Sequence, residues 1–230
     1  MATNTLLRDY RRSTGDLAAL VEDEVERFWK TLDLSDGRAT SEALQAFLVE
    51  LVQDYGDIAA VLAGDYYDAL MEEYRHTSRE AILAEVTPEE EIRISARAGV
   101  GPLFGADPDT ALALGLVAAG AVRLALQPGR STIDANTRRD GLLYARIPTG
   151  KDTCAFCLYM AALGPIFGKV EIEDGNKYHD KCYCVPTPMR GPEDAPKDYD
   201  LKGLSSTLAT HDKGNPKETR AALREALNVK

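Results

Sequence analysis

A mainly α fold is what this sequence predicts: an N-terminal helical body, then a small α+β module, then a polar C-terminal tail. Three features carry that reading. Apolar residues between Leu6 and Arg139 recur mostly at three- and four-residue spacing, the period of one helical face. Near Leu142 that period gives way to a short apolar run and then to a partly alternating one, as in half-buried strands. All 4 cysteines fall between Thr153 and Pro188, as Cys154-x-x-Cys157 and Cys182-x-Cys184, with His179 three residues before Cys182.

Composition sets the bounds. The 230 residues, 44% apolar and 28% charged, are those of a soluble globular protein, and exceed what one small core needs. Of the net charge of −10, residues 1–100 carry 21 acids and 10 bases, whereas residues 101–230 carry 16 and 17. An acidic front half argues against a broad nucleic-acid footprint there, because phosphate binding needs Lys and Arg. Met1 to Tyr10 lacks a basic flank followed by an apolar run, so no secretory signal is expected. The longest apolar stretch, Ala111 to Val122, ends at Arg123 and is too short to span a bilayer. The expectation is a reducing cytosol, where clustered cysteines are more often metal ligands than disulfides.

The elements follow in order. Leu17, Leu20, Val21, Val25 and Phe28 mark a first helix from Leu6 to about Lys30. Ser41 is a candidate N-cap for a long second helix to about Tyr74, with Leu44, Phe47, Leu48, Leu51, Ile58, Val61, Leu62 and Leu70 on its inner face. Asp54, Asp57 and Asp65 form its solvated side, and Trp29, Tyr66 and Tyr67 read as core. A third helix is expected after Ser78. Thr87-Pro88-Glu89-Glu90 reads as a capping box opening a fourth, which Gly99-Val100-Gly101-Pro102 ends. Asp107-Pro108 opens a small-residue helix whose Gly115, Ala118, Ala119 and Gly120 permit close helix approach, and Pro128-Gly129 stops it. A further helix runs from Ser131 or Thr132 to Arg139 and closes at Gly141. Leu142 to Ile147 and Phe167 to Ile172 are strand candidates, with turns at Pro148-Thr149-Gly150 and Asp174-Gly175-Asn176. From Pro188 to about Gly214 the composition is that of a linker, and Asn215-Pro216 caps a terminal helix to Leu227. The segments are thus 1–76, an N-terminal helical segment; 77–141, a helical body; 142–188, the Cys/His module; and 189–230, linker and terminal helix.

The cysteine cluster carries the chemistry. Zinc takes four ligands in a tetrahedron from thiolate and imidazole, and a Cys-x-x-Cys turn brings two sulfurs to one side. Cys154, Cys157, His179, Cys182 and Cys184 are five candidates for four places. The first choice is Cys154, Cys157, His179 and Cys182, with Cys184 an alternative to either of the last two. Two disulfides remain the competing reading should the protein mature outside cells. A closed set of protein ligands favours structural over catalytic zinc, since catalytic sites keep an open position. The deaminase order of His-x-Glu before Pro-Cys-x-x-Cys is absent, as are His-Glu-x-x-His, the P-loop and Gly-x-Ser-x-Gly. An enzyme would have to recruit Asp180 or Glu173; His76 and His211 stand in polar contexts and are expected to be exposed.

The run from Arg146 through Cys154-Ala155-Phe156-Cys157 to Gly164, closed by Tyr178-His179-Asp180-Lys181-Cys182-Tyr183-Cys184-Val185-Pro186, resembles the C-terminal module of phage head morphogenesis proteins. These are the minor capsid proteins similar to the F protein of phage Mu (MuF-like), in the form found in phages of actinobacteria. Ser131 to Asp140 resembles the family's helix ahead of the knuckle, so the clear match covers roughly residues 130–188. Ala161-Ala162-Leu163 and Tyr183 depart from the family pattern, at positions expected on the surface. The resemblance maps the metal ligands onto Cys154, Cys157, His179, Cys182 and Cys184. It implies a non-enzymatic virion protein with structural zinc, associated with the portal inside the procapsid. Its partners would be the portal protein and capsid or scaffold proteins, without membrane; DNA contact is not indicated. The location would be the capsid interior, and the host cytoplasm during assembly. The alternative is a zinc-dependent hydrolase or capsid maturation protease.

Overall fold

In the computed structural model, residues 2–77, 80–148, 153–166, 178–180, 182 and 184–229 are described. The expected strand at 167–172 and the turn at 174–176 lie outside them, as do Thr149 and Gly150. Five helices make the body: α1 (Ala2–Trp29), α2 (Gly37–Glu73), α3 (Glu89–Gly99), α4 (Thr110–Ala125) and α5 (Gln127–Arg139). The module follows as β1 (Leu143–Ile147), α6 (Ala155–Ala162) and β2 (Val185–Met189), and two helices, α7 (Leu201–His211) and α8 (Pro216–Leu227), complete the order.

Each start has a local cause. Asp36, not Ser41, caps α2: its carboxylate accepts from the Ala39 N–H at 3.0 Å. Asp109 does the same for α4 through Leu112 and Asn215 for α8 through Glu218. α4 ends at Ala125, just ahead of Pro128-Gly129, and that pair also sits in the first turn of α5, where proline's missing N–H costs nothing.

α2 is 37 residues long and serves two cores. Its N-terminal half packs Leu44, Leu48 and Val52 with Val21, Val25 and Trp29 of α1, Ile92 of α3, and Val117 and Ala121 of α4. Its C-terminal half packs Tyr66, Tyr67, Leu70 and Met71 with Ile133 of α5, Ile147 of β1, Val185 and Met189 of β2, and Tyr199. Segments 1–76 and 77–141 therefore share one core, and α2 ties the module to it. Between the two halves, small residues face α5. A methyl added at Gly129 would lie 2.6 Å from the Ala59 carbonyl oxygen, so the two backbones nearly touch. That close crossing explains a correction: Ile58 and Val61, expected inside, are 46% and 47% exposed, because Ala59, Ala60 and Ala63 take the buried positions. Leu20 of α1 is likewise outside, at 48% exposure.

The small residues of α4 act in part as expected. Gly120 lets Ser95 of α3 approach, and Gly99 of α3 lets Val117 approach, while Gly115 meets nothing. The stretch Thr110–Arg139 is long and apolar enough to cross a membrane by length and composition alone. It is two helices, broken at Leu126, and Ala113, Val117, Ala121, Leu124 and Ala125 are buried in the core.

No helix follows Ser78 over residues 80–88. That segment runs without secondary structure along α2 and α5, and side chains satisfy its backbone. Asp68 accepts from the Ala81 N–H, Asn136 bonds both polar groups of Ile82, and Thr132 accepts from the Ala84 N–H. The Thr87 hydroxyl, expected to cap α3, instead donates to the Leu124 carbonyl at 2.8 Å.

The two strands pair antiparallel, from Leu143 opposite Met189 to Ile147 opposite Val185. β2 reads Val-Pro-Thr-Pro-Met and was hidden by its prolines, which cannot donate to a ladder but are tolerated at an edge. The supposed linker of 189–214 is structured too. Asp200 caps α7, and α7 packs on α6, where the Tyr199 and Ser205 hydroxyls donate to the Ala161 and Ala162 carbonyls. Ala161 and Ala162 are therefore buried and not on the surface.

Candidate metal centre

The Cys-x-x-Cys knuckle is the start of α6. Cys154 occupies its N-cap, and the Cys157 N–H donates to the Cys154 sulfur at 3.3 Å. A helix N-terminus favours an ionised thiol. Cys182 and Cys184 arrive on the approach to β2, whose pairing with β1 holds them against α6. Antiparallel pairing and one short helix thus bring both halves of the motif together.

The distances are those of a ligand set. His179 Nε2 lies 3.0 Å from Cys154 Sγ and 3.5 Å from Cys157 Sγ. Cys157 Sγ lies 3.6 Å from Cys182 Sγ. Cys154, Cys157 and His179 form one group with donor atoms within 4.8 Å of one another, and Cys157, Cys182 and Cys184 form a second. Cys157 belongs to both. The thiols are free, and the 3.6 Å separation of Cys157 and Cys182 far exceeds the roughly 2.05 Å of a disulfide. It approaches the edge of about 3.8 Å that a tetrahedron with 2.3 Å metal–sulfur bonds requires. The five residues fit a thiophilic divalent ion, and they form a candidate metal-binding site.

His179 is oriented as a ligand. Its Nδ1 faces the Asp180 carbonyl oxygen at 2.7 Å, which places the proton on Nδ1 and leaves Nε2 turned to the sulfurs. The ring of Phe156 abuts it edge-on at 5.5 Å.

The electrostatics of the cluster point the same way. Hydrogen bonds from Cys157 and His179 hold Cys154 down to about 4. The Cys154 sulfur in turn raises His179 to about 9. Cys182 is lowered, first by hydrogen bonds from Cys157 and Cys184 and then by Arg130 and Arg146. Cys157 is raised, because its proton serves Cys154 and Cys182. Neighbouring thiols cannot all ionise together; a divalent cation is what would let them.

Sequence reasoning missed the wall of this site. Arg146 of β1 is 0% exposed and Arg130 of α5 is 5% exposed. Each guanidinium lies 3.9 Å from the ring centre of Tyr178. Arg146 Nη2 donates to Cys182 Sγ at 3.6 Å, and Arg130 Nη2 donates to the Cys182 carbonyl at 2.8 Å. The available signal was an arginine inside the apolar strand Leu-Tyr-Ala-Arg-Ile.

The other sequence candidates fall elsewhere. Asp180 turns its carboxylate to Arg123 at 2.8 Å, and Glu173 lies outside the described residues. His76 and His211 are half-buried where exposure was expected, and neither joins a donor group among the described residues.

No curated protein and no solved structure matches the chain. One protein family does, over residues 1–207, so the match takes in the helical body as well as the module. The chain belongs to the VG15 protein family, a phage family.

Proposed function

We propose that this protein is a phage minor capsid protein acting in head morphogenesis, of the MuF-like kind, bound to the portal inside the procapsid. In this reading the Cys/His cluster holds one structural zinc ion. The observation that carries it is the donor set: two triads of thiol and imidazole groups share Cys157, which gives five candidates for the four places of a tetrahedron. A closed site has no position for substrate or activated water. The carboxylate nearest the cluster in sequence, Asp180, is engaged by Arg123, which favours a non-enzymatic role. The helical body would supply the docking surface for the portal, capsid or scaffold proteins, and the zinc would staple a module too small to be stable alone.

The test is metal content with thiol titration on freshly purified protein, followed by co-purification with the portal protein encoded in the same phage genome. About one zinc per chain, thiols that react only after chelation, and a stable portal complex are expected. Disulfides, or zinc that exchanges freely while the fold persists, would overturn the structural-zinc reading. Hydrolysis of capsid protein abolished by Asp180→Asn would favour the protease.

A further inference from the structure

Two cations are buried against the thiols. Arg130 and Arg146 both contact the face of Tyr178, and both are bonded to Cys182, one to its sulfur and one to its carbonyl. Burying one guanidinium costs several kcal/mol unless an anion faces it, and a second nearby adds repulsion. Among the described residues, the acidic groups that act on both arginines are Tyr178, Cys182 and Cys184, with Cys157 also facing Arg146. Nη1 of Arg130 is buried with no hydrogen-bond partner among them.

Charge counting supplies a counter-ion. A divalent ion with three thiolates and one imidazole carries −1, and with four thiolates −2. Either complex is an anion buried beside two fixed positive charges. We propose, resting on the metal-centre reading above, that Arg130 and Arg146 are positioning residues whose charges neutralise the metal–thiolate complex and so set its affinity for the ion. The arrangement works in both directions. The arginines favour the loaded complex, and the loaded complex offsets part of the cost of burying them. Metal and fold thus stabilise one another through these two side chains as well as through the ligands.

The full chain and its Arg146→Met, Arg130→Met and Arg146→Lys variants would be compared for Zn²⁺ affinity by competition with a chromophoric chelator. The Co²⁺-substituted absorption spectrum and urea stability, with and without metal, would be recorded alongside. Both methionine variants should bind Zn²⁺ about 10- to 100-fold more weakly, the usual cost of losing a group that supports metal ligands. Arg146→Lys, which keeps the charge, should recover most of that loss. The Co²⁺–thiolate bands should keep their shape, since the ligands are intact, and the variants should lose more stability with metal than without it. Wild-type affinity in both methionine variants would overturn the proposal, as would an equal loss of stability with and without metal, which is the mark of mere packing. Should Arg146→Met fail to fold, Arg130→Met and Arg146→Lys decide by the same affinity criterion. A parent chain that takes up neither ion would refute the metal-centre reading itself, and this inference with it.

Discussion

Asn136 of α5 grips the backbone of Ile82 on both sides: its amide nitrogen donates to the Ile82 carbonyl at 2.8 Å, and its oxygen accepts from the Ile82 N–H at 2.9 Å. One side chain thereby plays the part of a neighbouring strand. It lets residues 80–88 lie on the body without secondary structure of their own. Asn136→Ala should leave both Ile82 groups unpaired and cost about 3 kcal/mol. Urea unfolding measures it, and an unchanged midpoint would mean that water replaces the amide without loss.

The crossing of α2 and α5 depends on Gly129. A methyl there would meet the Ala59 carbonyl oxygen, which is backbone and cannot swing away. Gly129→Ala should destabilise by about 1–3 kcal/mol, the range for overpacking. Gly115→Ala serves as the control, because it meets nothing within 4 Å and lies inside a helix that alanine favours. Thermal melts of the pair should move in opposite directions.

Cys157 is common to both donor groups, whereas Cys182 and Cys184 share one. Cys157→Ser should abolish metal retention through gel filtration. Cys184→Ser should keep a measurable fraction, since it leaves the group of Cys154, Cys157 and His179 intact. Retention of the ion by Cys157→Ser would refute the shared-ligand geometry. In both variants far-UV circular dichroism should change little, because α1 to α4 share a core that contains no residue of the module.

Asp140 gives the fold an acid-sensitive joint. The hydrogen bond from Arg139, opposed by burial and aided by the Tyr67 hydroxyl at 2.8 Å, holds its carboxyl below the ordinary carboxylate value. A folded-state value below the unfolded one means that the group stabilises the protein above the unfolded value. That contribution is lost as pH falls through the folded value. Asp140→Asn should therefore lower stability at neutral pH and flatten its decline below about pH 4. Equal slopes for parent and variant in acid urea titrations would rule the contribution out.

The local rules of the sequence were sufficient for part of this protein. Helical periodicity set the helices of the body, because a 3.6-residue repeat of apolar side chains has one way to hide. The spacing of Cys154, Cys157, His179, Cys182 and Cys184 marked the donor set, because few other roles call for thiols so crowded. Asn215-Pro216 marked the last helix, since capping is read within four residues. Tertiary structure decided the rest. Pro128-Gly129, a stop signal locally, also opens α5, where Gly129 passes close to the α2 backbone. Val185 to Met189 becomes a strand only because β1 lies beside it. Residues 80–88 forgo a helix because Asp68, Thr132 and Asn136, distant in sequence, supply their hydrogen bonds. Nothing local to Arg130 or Arg146 sets them beside the thiols; folding carries them there. A buried charge is tolerated only where its counter-charge lies, and that position belongs to three dimensions.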